Sequence, residues 1–353
     1  MFTSITDTDR RLAIQRLTAL WALNECGLGG VLHAFNSPFT GLLVGSLAMV
    51  CITFICTLAR QKWKTVMTSL LLVLVIKALV SPHSSPTAYL AVSFQAVTGA
   101  LIYRFIPYLS VASVLFVTLG LIESALQRLL TLTILYGNTL WEAINIWGEW
   151  VTQRWGVLIP VSSASLIIWT YLTIHLGAGI LIGWSLYKTL KAVSSEWGKG
   201  EYQLVLKEGD ARTFFKARKK RKWRRYVFFF VLITMIVFAY SGLPDPESTI
   251  QQGLIAVMRA FAILTLWYVF LAPALIRWLQ SYLSKKHRQL SAEVAQTMEM
   301  FPRLLWIIDR VRTESSSLRS LGRIKYIVVH SLLYILQYRT HDDTNINGTG
   351  QES

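Results

Sequence analysis

Residues 216–225 read KARKKRKWRR, eight basic side chains in ten, and run directly into the apolar stretch YVFFFVLITMIVFAY. Lys and Arg cross hydrocarbon at high cost, so a positive run abutting an apolar span is held at the cytoplasmic face of a membrane. The junction predicts a chain that threads a bilayer, and it gives every other segment an orientation. Hydrophobic residues make up 53% of the chain and charged residues 15%, against about 25% charge in soluble domains. Mean hydropathy is +0.45. In a soluble protein a formal charge of +16 and a pI near 9.9 would point to nucleic acid. Here the cations sit at the ends of apolar spans, where orientation and anionic headgroups account for them. Nucleic acid is therefore not an expected partner.

A spanning helix needs about 20 mostly apolar residues. Eight stretches qualify, near 17–34, 39–58, 65–80, 87–104, 108–135, 157–188, 226–243 and 254–279. Lys and Arg alternate with span number. Arg10, Arg11 and Arg16 precede the first span, Arg60, Lys62 and Lys64 follow the second, Arg104 the fourth, and Lys188 and Lys191 the sixth. The intervening loops hold almost none: Arg154 is the sole cation of 137–156, and 244–252 carries Asp245 and Glu247 instead. This pattern predicts eight crossings with both termini cytoplasmic, and the start MFTSITDTDRRLAIQR reads as polar and not as a signal peptide. Residues 138–155 interleave Trp141, Trp147, Trp150 and Trp155 with Glu142, Glu149 and Arg154. That mixture predicts an amphipathic helix on the outer surface, or one capping the mouth of a cavity.

The expected fold is therefore all-α. A six-span bundle over 1–190 is followed by a basic cytoplasmic connector over 191–225 and two spans within 226–283. Amphipathic cytoplasmic helices over 284–340 and a disordered tail over 341–353 complete it. The first half is rich in small residues, among them Gly27, Gly29, Gly30, Gly41, Gly45, Gly99 and Gly120. Such residues let helix backbones approach closely in lipid.

Ionisable groups at membrane depth are functional candidates by default. The first half offers Glu25, His33, Lys77, Glu123, Arg128 and His175, with Asn24, Gln95 and Gln127 nearby. Facing inward, Glu25, Lys77, Gln95, Glu123 and Arg128 would line a pocket for a small polar solute. The alternative is a set of interhelical polar contacts that hold the bundle together. Glu123 stands in the largely apolar stretch FVTLGLIESALQRLL, and its plain alternative is a salt bridge with Lys77. Pro82 and Pro86 bound a loop holding His83 and Ser84, which either gates an outward-facing cavity or is an ordinary turn. His33, His83 and His175 form no paired haem-ligating motif, and Cys26, Cys51 and Cys56 show no metal spacing, so no cofactor or metal is expected. No GxxxxGK[ST] loop and no nucleophile–base motif occurs, so the chain is not expected to be an enzyme.

Two stretches resemble membrane components of energy-coupling factor transporters. LTALWALNECGLGGVLHAFNSPFTGLLVGSLAMV, with the Pro-bounded loop and the two spans after it, is similar to the six-span solute-capturing component. The likeness rests on small residues in the first helix (Ala19, Ala22, Gly27, Gly30) and a Pro-Phe-Thr-Gly opening to the second. The stretch from Gly253 to Arg323 resembles the scaffold component, in which a span with an early Arg leads to a Pro-Arg-Leu-Leu turn, then a cytoplasmic helix ending in a short Arg-Gly signature. Arg259, Phe301, Pro302, Arg303, Leu304, Leu305, Asp309, Arg310, Arg312, Arg319, Gly322 and Arg323 fall in that order here. The Ala-Arg-Gly triplets of the family are replaced by Leu-Gly-Arg, and two spans stand where the scaffold has more.

The resemblance implies a bacterial plasma-membrane subunit of an importer that captures a vitamin-like solute. It also implies docking to separate ABC-type ATPase subunits through Arg303, Asp309, Arg310, Arg312, Arg319 and Arg323, since exposed Arg makes charge-assisted contacts to carboxylates. The competing expectation is a non-transport membrane scaffold whose basic cytoplasmic surface binds anionic lipid. A membrane-embedded enzyme is a third class, for which no motif stands out.

Overall fold

The computed structural model describes residues 5–28, 40–81, 84, 86–156, 162–197, 202, 204–206, 258, 262, 265–266, 270, 273–274, 288–318 and 320–340. The basic run and the two later apolar stretches fall outside these residues, apart from isolated positions, as does 341–353.

The fold is helical. α1 (Asp7–Leu23) starts at Thr6, whose hydroxyl accepts from the Asp9 amide, with Asp7 and Asp9 at the positive end of the helix dipole. It passes into a π-helical turn, Asn24–Leu28. α2 (Thr40–Leu58), α3 (Lys62–Val80) and α4 (Pro86–Phe105) follow, with Pro86 at the first helical position, where its missing N–H costs nothing. α5 (Leu109–Tyr136) and α6 (Thr139–Trp155) both stop at glycines with positive φ, Gly137 and Gly156. α7 (Ser163–Glu196) is capped by the Ser162 hydroxyl and runs 34 residues, about 50 Å at 1.5 Å per residue. α8 (Arg288–Glu314) and α9 (Ser320–Gln337) are joined through a 3₁₀ turn, Ser315–Ser317.

Among the described residues four helical stretches are long and apolar enough to cross a membrane: Gly41–Leu58, Lys62–Val80, Leu109–Tyr136 and Ser163–Glu196. The chain is an integral membrane protein. The first expected span, 17–34, differs most from the structure. Its helix begins at Asp7 and carries Arg10, Arg11 and Arg16 along its length, so α1 is not one of the four.

α2 sits in the middle of the bundle and packs on α1, α3, α4 and α5, while α5 and α7 share the longest interface. Glycines set these distances. A Cβ on Gly183 would lie 2.6 Å from the Val114 Cα, and one on Gly179 would lie 2.6 Å from the Thr118 Cα. The two backbones of α5 and α7 therefore touch where no side chain fits between them. Gly99 likewise admits Ile52 and Phe116 against α4. α6 buries only Gly148, against Ser163, and leaves Trp147, Trp150 and Trp155 exposed.

α8 and α9 do not stand apart from the bundle. They pack on each other and on α1, with α8 also reaching α3 and α9 reaching α7. Phe301, Leu304, Ile307, Leu332, Leu333 and Leu336 join Ala13, Leu17 and Val73 in one continuous apolar core. The Phe301–Leu305 segment, expected to form a turn by resemblance, lies inside α8. The helix runs through Pro302, at the cost of one backbone hydrogen bond and of crowding between its ring and the preceding turn. A two-residue parallel pairing of Val205 and Leu206 with Arg339 and Thr340 ties the chain after α7 to the end of α9.

Candidate functional site

The π-helical turn that ends α1 carries Asn24 and Glu25, both buried. A π turn widens the helix by one residue per hydrogen-bonded ring and frequently occurs at functional positions. The Glu25 carboxylate accepts from the Lys77 ammonium of α3 at 2.5 Å, and the two side chains are 4% and 3% exposed. The Lys77 Nζ also lies 6.0 Å from the centre of the Tyr89 ring on α4. Two opposite charges at membrane depth neutralise one another, and either alone would be very costly there.

Asn24 donates from Nδ2 to the Val44 carbonyl of α2 at 2.9 Å. Next to Val44, Gly45 lets the Gln95 amide of α4 approach, since a Cβ there would meet Gln95 Nε2 at 3.1 Å. Among the described residues the Asn24 Oδ1 and Gln95 Oε1 atoms are buried without a hydrogen-bond partner, as is the indole Nε1 of Trp21 on α1. An amide oxygen left unpaired in a low-dielectric interior costs about 1–3 kcal/mol. Four elements, α1 with its π turn, α2, α3 and α4, thus bring an ion pair and two unmatched carbonyl acceptors into one region.

Of the expected solute-binding set, Glu25 and Lys77 meet directly, and Gln95 is buried beside α2. Glu123 is half-buried on α5 with its Oε2 atom unpartnered among the described residues. Lys77 is paired with Glu25, so the salt bridge between Glu123 and Lys77 is not made. Arg128, half-buried one turn further along α5, is within electrostatic reach of Tyr171 on α7. Neighbouring Gln127 donates to the Thr87 carbonyl at 2.7 Å. His83 lies outside the described residues. His175, 1% exposed, meets the Tyr171 carbonyl through Nδ1 at 2.9 Å and packs its ring against the same tyrosine.

The expected ATPase-docking residues line α8 and the start of α9. Arg303 pairs with Glu299 at 3.3 Å and Arg310 with Glu314 at 2.9 Å, each one turn along the same helix. Asp309, Arg310 and Arg312 are exposed. Arg323 donates to the Arg312 carbonyl at 3.5 Å, and Arg319 lies outside the described residues.

Two polar arrangements escaped the sequence reading. Tyr103 shares its hydroxyl with Thr53 at 2.9 Å and Ser113 at 3.0 Å, bridging α4, α2 and α5. A cleft of about 600 Å³ opens between α1, α3 and α8, with Arg10, Arg11, Arg60 and Lys64 among its walls. The Arg and Lys residues were legible individually as flanking charges. Their convergence depends on α8 folding back onto α1.

No known protein family, curated protein or solved structure matches the chain.

Proposed function

We propose that the chain is the membrane subunit of an energy-coupling-factor-type importer, which captures a small polar solute inside the helical bundle. The observation that carries this reading is the unpartnered Asn24 and Gln95 oxygens, buried at and near the π turn. A bundle built only for stability has no use for unsatisfied acceptors at this depth, whereas a zwitterionic or hydrogen-bonding solute would satisfy them. In this reading the chain crosses a bacterial plasma membrane eight times with both ends cytoplasmic. The exposed face of α8, with Asp309, Arg310 and Arg312, supplies the contact to separate ATPase subunits.

Native mass spectrometry of the purified protein tests the capture step. A small-molecule adduct is expected on the wild type and is lost in Glu25→Gln/Lys77→Met. An adduct retained by a folded double variant removes these residues from the site. Co-purification with an ATPase subunit, lost in Arg310→Glu, tests coupling.

A second reading is a non-transport scaffold with a basic lipid-facing surface. It is supported by the pairwise closure of Glu25 on Lys77 and by the apolar faces of α8 and α9, which are occupied by the chain's own α1. Absence of any adduct across native preparations favours it.

A further inference from the structure

At the turn between α2 and α3 the chain builds a second cleft, about 470 Å³, lined by Arg60, Gln61, Lys62, Trp63, Lys64 and Arg104. Four of the six are cations and none is acidic. Among the described residues the one carboxylate paired with them is Asp7, which holds the Arg60 guanidinium at 2.8 Å. Lys62 turns away from the cleft chemistry, since its ammonium donates to the Tyr103 carbonyl at 2.6 Å and clamps the turn to the end of α4. That clamp fixes the end of α4 at the turn, so Arg104 and Lys64 line the same cleft, and these two cations have no carboxylate partner among the described residues.

Exposed cations gathered at one turn repel one another through solvent, and an anion between them relieves that repulsion. The surroundings say which kind of anion. Trp63 is 40% exposed, and Phe105 and Tyr108, just beyond Arg104, are each 72% exposed. Tryptophan and tyrosine settle at the headgroup level of a bilayer. Leu101, one turn back along α4, is also exposed and continues the apolar surface toward the membrane interior. A ligand filling both parts has a phosphate at one end and hydrocarbon at the other.

We infer that the α2–α3 turn is a binding site for the phosphate headgroup of an anionic phospholipid, held by Lys64, Arg104 and Arg60, with acyl chains lying along Leu101 and Phe105. The inference does not depend on solute capture, which involves other residues.

The test uses the full chain in neutral detergent, titrated with dioleoyl phosphatidylglycerol or dioleoyl phosphatidylcholine and read by native mass spectrometry. Phosphatidylglycerol is expected to bind and phosphatidylcholine to bind much more weakly. Lys64→Gln/Arg104→Gln should weaken phosphatidylglycerol binding roughly tenfold or more, as expected for two interfacial cations. The charge-preserving Lys64→Arg/Arg104→Lys and the distant Lys325→Gln should leave it unchanged. Equal binding of the two lipids, or undiminished phosphatidylglycerol binding by a double Gln variant with wild-type helicity, overturns the proposal. Displacement of the lipid by millimolar inorganic phosphate also overturns it, by showing that a soluble anion fills the site.

Discussion

Arg16 of α1 donates from Nη1 to the Leu336 carbonyl at 3.0 Å, and its guanidinium lies 3.9 Å over the ring of Tyr338. The contact spans 320 residues of sequence and is buried. It anchors the end of α9 to the first helix, where the two-residue pairing with Val205 and Leu206 and the edge-on contacts of Tyr202 with Tyr334 and His330 add to the same junction.

Arg16→Met should therefore loosen the C-terminal helices. A buried hydrogen bond from a charged donor contributes about 1.5–3 kcal/mol, and a desolvated cation–π contact about 2 kcal/mol. The expected loss is roughly 3 kcal/mol in unfolding free energy, with faster cleavage of the 288–340 region by protease. A wild-type cleavage rate would mean that the contact does not hold α9.

The ion pair makes an asymmetric prediction. Removing one partner leaves a charge buried, so Glu25→Gln or Lys77→Met alone should each destabilise by about 3–5 kcal/mol. The double variant Glu25→Gln/Lys77→Met should recover most of that loss. Denaturation of the four proteins in one detergent gives the coupling energy, and simple additivity would show that the pair does not act as a unit.

Close approach of α5 and α7 predicts the fate of three glycines. Gly183→Ala and Gly179→Ala place a methyl against the Val114 and Thr118 backbones, where no rotamer change relieves the clash. Each should cost about 1–3 kcal/mol through forced separation of the helices. Gly177→Ala, with nothing within 4 Å of the added carbon, should be neutral or slightly stabilising. Equal melting temperatures for all three would contradict the described interface.

Orientation can be read with thiol labelling. Cys26, Cys51 and Cys56 are buried and should not react with a maleimide in the folded protein. Against that quiet background Asn138→Cys, in the exposed turn between α5 and α6, should label from outside intact cells. Ser317→Cys, in the exposed turn between α8 and α9, should label only after permeabilisation. The reverse pattern would invert the proposed topology.

The helices were legible from the sequence because apolar runs near 39–58, 65–80, 87–104 and 108–135 match α2 to α5 within a few residues. Glu25 and Lys77 were legible singly, as charges among apolar neighbours. Their pairing was not, because 52 residues separate them and Glu123 offered an equally placed acid. Arg16 was misjudged for a related reason. Read as a flanking cation ahead of the first span, it lies in the third turn of α1, buried under α9. The amphipathic character of 284–340 was plain from its periodicity. Periodicity says that a face must be covered and not by what, and here α1 covers it.

Because α1 is clasped by α8 and α9, its packing is complete only once those two helices have been synthesised. Arg16 must wait for Leu336, 320 residues further along the chain, so this junction cannot close while the intervening helices are being made. A premature stop upstream of α8 would therefore strand an exposed apolar flank on an otherwise inserted bundle, a ready target for membrane quality-control proteases.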